Sequence, residues 1–78
     1  MYKYVVDYLG GETDIDKTNS KARAIQRIKE RFRVKPYLTA RLKTNMTARA
    51  SGYWDYREIA RYQMKFDPKT GKHRFEEV

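Results

Sequence analysis

Three arginines, Arg23, Arg27 and Arg31, stand four residues apart in "SKARAIQRIKERFRVK", residues 20 to 35, with Glu30 as the only acid in that stretch. A guanidinium is planar, always charged and forked, so such a row suits phosphate oxygens taken two at a time. The basic run continues through Arg33, Lys35, Arg41, Lys43 and Arg49. Residues 17 to 49 hold six arginines and five lysines against one glutamate, a charge of +10. Residues 1 to 16 set Lys3 against Asp7, Glu12, Asp14 and Asp16, for −3, and residues 50 to 78 set six cations against five acids, for +1. The middle of the chain therefore carries essentially all of the net +8.

Any surface helix presents a charged face. Solvated helices usually mix signs, because acid–base pairs at i,i+4 stabilise them and like charges at that spacing destabilise them. The one-sided row therefore favours contact with a polyanion.

Aromatic residues follow the basic run. "SGYWDYRE", residues 51 to 58, offers Tyr53, Trp54 and Tyr56 beside Arg57. Exposed aromatics among cations can stack on unpaired bases, each contact contributing about 1–3 kcal/mol. The competing use is filling the core, which large aromatics dominate. Core packing is the expectation for most of them, and more firmly for Tyr2, Tyr4 and Tyr8. Trp54 and Arg57 still complete the candidate contact set.

Other chemistry finds little support. "DIDKTNS", residues 14 to 20, alternates oxygen side chains as a calcium loop does. It has Asn19 where that loop needs glycine and Ile25 where it needs glutamate, so a turn into a helix cap explains it better. "DPKTGK" lacks the spacing of a phosphate-binding loop and reads as a hairpin turn. His73 is the only histidine and there is no cysteine, which removes thiolate zinc sites, thiol nucleophiles and disulfides. No enzyme, metal or cofactor is expected. The absence of cysteine fits a reducing compartment. "MYKYVVDYLGG" is broken by Asp7 and is no signal peptide, and no segment is apolar for long enough to span a membrane. A soluble cytoplasmic protein is the expectation.

These side chains need elements to position them. A chain of 78 residues has room for one domain with a marginal core, which self-association often supplements. "YKYVVDYL" alternates as a strand, Gly10-Gly11 signals a turn, and "ETDIDKT" could return as a polar edge strand. Asn19 or Ser20 can cap a helix over about 20–33, with Ala24, Ile25, Ile28 and Phe32 on one arc, the arginine row on another, and Pro36 as the stop. Residues 37 to 50 satisfy two patterns. Leu38, Leu42 and Met46 repeat every four residues, while Leu38, Ala40 and Leu42 alternate; the threonines tilt the choice to a strand followed by a loop. Ala60, Tyr62, Met64 and Phe66 alternate clearly, and "DPKTG" turns the chain into a last strand with His73 and Phe75.

The expected fold is α+β, a small antiparallel sheet of three to five strands with one amphipathic helix on one face. The alternative is a helix-turn-helix-like pair with a C-terminal β-hairpin, in which Arg41, Lys43 and Asn45 reach a groove. The expected function is non-catalytic binding of DNA or RNA, mainly through phosphates. The second reading is a small protein-binding module or inhibitor, of a kind suited to a phage or mobile element, whose basic face covers an acidic surface of a partner protein. Signatures of the aromatic RNA-binding strand, the GXXG loop and the zinc finger are all absent.

Overall fold

The alternation of Tyr4, Val6 and Tyr8 with Val5, Asp7 and Leu9 forms strand β1 (Tyr4–Leu9), which buries Val6 and Tyr8. A computed structural model of the chain describes residues 2–11, 15–48 and 54–78. After β1 the backbone turns through Gly10 and Gly11 at φ of 118° and 100°, where a side chain would be strained. The chain returns as the short β2 (Asp16–Thr18), antiparallel to β1 with Val6 opposite Asp16.

The helix α1 (Lys21–Val34) starts at Ser20, whose Oγ accepts from the Arg23 N–H at 3.3 Å. Asn19, the other expected cap, accepts from the Lys3 N–H instead (2.8 Å) and ties the strand entry to the helix entry. Lys35 leaves helical geometry just before Pro36, with its N–H still donating to the Arg31 carbonyl. Ala24, Ile28 and Phe32 are buried, and Ile25 packs beside them.

Three strands follow, β3 (Thr39–Ala48), β4 (Trp54–Asp67) and β5 (Lys72–Glu77), giving one antiparallel sheet in the order β2-β1-β3-β4-β5. Among the described residues this is a small α+β fold with one helix on a five-stranded sheet. The core lies between α1 and the face formed by Val6, Tyr8, Leu38, Ala40, Leu42 and Tyr62. Phe75 joins its margin, stacked on Tyr62 at 5.0 Å and tilted against Phe32 at 5.9 Å.

Thr39–Ala48 form a strand and not a second helix, so the helix-turn-helix alternative is wrong. The repeat of Leu38, Leu42 and Met46 every four residues is also a multiple of two, and it fits a strand as well as a helix. Leu38, Ala40 and Leu42 all turn inward, and the threonines suit the pleated surface. The strand also runs on through Thr44 and Asn45 to Ala48, where a loop was expected. Opposite it, β4 carries one extra residue: Leu42 faces Ala60 while Lys43 faces Glu58, leaving Ile59 as a bulge that is 44% exposed. Tyr2 is a second departure, exposed ahead of β1, whereas Tyr8 lies in the core and Tyr4 packs against it.

The β4–β5 turn is the expected one. Gly71 sits at φ 70° and donates to the Asp67 carbonyl, while the Asp67 carboxylate accepts from the Lys69 N–H. Gly71→Val is expected to lower stability by about 1–2 kcal/mol, the cost of a left-handed backbone for a bulky residue, and Gly71→Asn by clearly less. Coincident melting curves for the two variants would remove the role given to Gly71.

Candidate nucleic-acid interface

Antiparallel partners share a face of the sheet, so the register sorts the basic residues into two groups. Val6, Tyr8, Ala40 and Tyr62 face α1. Lys17, Val5 and Lys43 form a row on the opposite, open face, and Asp7, Arg41 and Arg61 form the next. Arg41 and Lys43 are therefore separated from the helix arginines by the thickness of the sheet.

On the open face several cations are held by acids. Asp7 accepts from both nitrogens of the Arg41 fork, at 2.7 and 2.8 Å, and from Lys43 Nζ at 2.8 Å. Burial alone would raise the Asp7 carboxyl, but the hydrogen bonds and charges of Arg41 and Lys43 outweigh it and hold the group below its ordinary value. Arg61 pairs with Glu58 at 3.0 Å and Arg74 with Glu76 at 2.8 Å. Arg41 and Lys43 thus have carboxylate partners that an incoming phosphate must displace.

Arg31 also departs from expectation. It does not point away from the core with Arg23 and Arg27. Its guanidinium lies 3.2 Å from Asp16 Oδ1 and 4.9 Å from the centre of the Tyr8 ring, and the Tyr8 hydroxyl donates to the other oxygen of Asp16. The cause is angular: at about 100° per residue, Arg31 lies three after Ile28 and seven after Ala24, beside the buried stripe. Burial first, and then the hydrogen bond and charge of Asp16, push the Tyr8 phenol well above its ordinary value. Asp16, one of the oxygen ligands suggested by "DIDKTNS", is committed to protein partners, and so is Asn19, which stands at the glycine position of that loop. Among the described residues no three acids or histidines gather to hold a metal ion.

Arg23, Arg27 and Arg33 remain on the solvent side of α1, exposed, and none forms an ion pair among the described residues. Lys21 and Lys29 are exposed beside them, the Lys29 ammonium 5.2 Å from the Phe75 ring. Arg23, Gln26, Arg27 and Glu30 line a shallow polar depression of about 210 Å³. Glu30 is still the only acid on the helix. Lys35 is half-buried at the helix end. Arg57 is exposed opposite Thr44, on the helix-bearing side.

Arg49 and the side chain of Trp54 lie outside the described residues. Tyr56 is half-buried but does not belong to the core; its hydroxyl donates to the Tyr2 carbonyl at 2.7 Å on the open face. Sequence reasoning missed the hollow this creates. Tyr2, Val5, Ile15 and Tyr56 line about 620 Å³ there together with Asp7, Lys17 and Lys43. Among the described residues no helix is long and apolar enough to cross a membrane. The chain matches no protein-family model, no curated protein and no solved structure.

Proposed function

We propose that this protein binds nucleic acid without catalysis, through phosphate contacts from the solvent side of α1. The observation that carries this reading is where the acids go. Asp7, Asp16, Glu58 and Glu76 are spent on Arg41, Lys43, Arg31, Arg61 and Arg74, while Arg23, Arg27 and Arg33 keep their charge without such a partner. Unrelieved like charges along one helix cost stability. A phosphate backbone relieves that repulsion and releases its own counterions in doing so. Arg23 and Arg27 line one depression together with Gln26 and Glu30, so a phosphate there meets two cationic side chains and one acid.

Reversing Arg23, Arg27 and Arg33 together to Glu is expected to abolish binding to DNA and RNA while far-ultraviolet dichroism stays that of the wild type. Single neutralisations are expected to weaken binding about equally for all sequences, each lowering the salt slope by about one unit. Arg31 is left out of the set because its removal would damage the fold. If the wild type shows no salt-dependent affinity for either nucleic acid, the reading fails, and the same face is then the contact surface for an acidic protein.

A further inference from the structure

Strand β5 is one edge of the sheet, with β4 on one side and nothing on the other among the described residues. The Val78 N–H donates to the Arg61 carbonyl across the ladder. By the alternation of an antiparallel pair, the backbone groups of Arg74 and Glu76 also point to β4, and those of His73, Phe75 and Glu77 point outward. An edge of this length is a template for another strand unless something blocks it. β5 has no proline, and its sequence "KHRFEE" is ordered by sign, with cations in the first half and acids in the second. That order is complementary to itself when the strand is paired antiparallel.

We infer that the β5 edge pairs antiparallel with β5 of a second copy of this chain, making one continuous ten-stranded sheet. A two-fold axis normal to the sheet keeps each face on its own side, so opposed residues must share parity. Centring the axis on Phe75 sets Phe75 against itself, Arg74 against Glu76 and His73 against Glu77 of the second copy. Arg74 and Glu76 already lie 2.8 Å apart within one strand, so the dimer closes a four-charge square of alternating sign on the open face. On the helix-bearing face, Phe75 meets its counterpart between the two His73–Glu77 pairs. The neighbouring registers are worse: centring on Arg74 opposes arginine to arginine, and centring on Glu76 opposes glutamate to glutamate. The outward backbone groups of His73, Phe75 and Glu77 supply the new ladder.

This inference goes beyond nucleic-acid binding and does not depend on it. Its consequence for that reading is geometric. The axis keeps both α1 helices on the same side, so the dimer presents two copies of the Arg23, Arg27 and Arg33 face in one direction.

Sedimentation of the full chain from micromolar to millimolar concentration tests the inference. The wild type is expected to convert from monomer to dimer across that range. R74E and E76K each put like charges at both cross-strand pairs, and each is expected to weaken self-association about thirtyfold. Mixing the two variants restores opposite charges at every pair, so a heterodimer of wild-type affinity is expected. His73→Pro removes an outward N–H while leaving the β4 ladder intact, and is expected to stay folded and become monomeric. A wild type that stays monomeric to millimolar concentration overturns the inference. So does a dimer that survives R74E and E76K unchanged, or a mixture that fails to form the heterodimer.

Discussion

Phe32→Ala is expected to cost about 3–5 kcal/mol, the range for deleting a buried aromatic side chain. Phe32 is 1% exposed and is the largest fully buried side chain among the described residues. It spans the space between α1 and Phe75, which in turn stacks on Tyr62, so its removal opens a cavity at the junction of the helix with β4 and β5. A chain of 78 residues commands a total stability of roughly 4–12 kcal/mol. The variant is therefore expected to lose from about a quarter of that stability to all of it. Arg27→Ala, on the exposed side of the same helix, is expected to stay within about 0.5 kcal/mol of wild type and can gain stability by relieving repulsion. Urea denaturation of the pair decides the matter. Similar midpoints for both would mean that the helix presents a different side to the sheet.

That contrast rests on features readable in the sequence. Ala24, Ile28 and Phe32 fall on one arc of a helix with a capping serine before it and a proline after it, and all three are buried. The alternation around Tyr62 and the turn at Pro68 and Gly71 were equally plain, because strand period and turn chemistry are local properties. Residues 37 to 50 were ambiguous for a physical reason, since a spacing of four is compatible with both periods. The candidate surface was less legible than the fold. Three arginines at equal spacing look equivalent along the chain, but Arg31 finds Asp16 fifteen residues earlier and Arg41 finds Asp7 thirty-four residues earlier. Arg31 meets Asp16 where α1 packs on β2, and Arg41 meets Asp7 across the β1–β3 pairing, and no local pattern encodes either contact. Counting cations could find the basic stretch but not which cations the fold would consume.

The inequivalence of the arginines gives the second large effect. Arg31→Glu is expected to lower stability by about 2–4 kcal/mol, short of the full cost of breaking a buried pair because water still reaches it. The side chains of Arg31 and Asp16 are 23% and 11% exposed. The reversal would place a second carboxylate against Asp16 and remove the cation over the Tyr8 ring. Arg23→Glu, one face further round, is expected to change stability by no more than about 0.5 kcal/mol. The same cluster sets an alkaline limit. Because the Tyr8 phenol is raised in the folded state, its contribution is fully present below the ordinary phenol value of 10.0 and is lost as pH rises toward the folded value. Urea midpoints measured across that alkaline range are expected to fall for the wild type, and Tyr8→Phe is expected to remove that part of the slope. Equal losses from Arg23→Glu and Arg31→Glu, or an unchanged alkaline slope in Tyr8→Phe, would mean that Tyr8, Asp16 and Arg31 do not act as a unit.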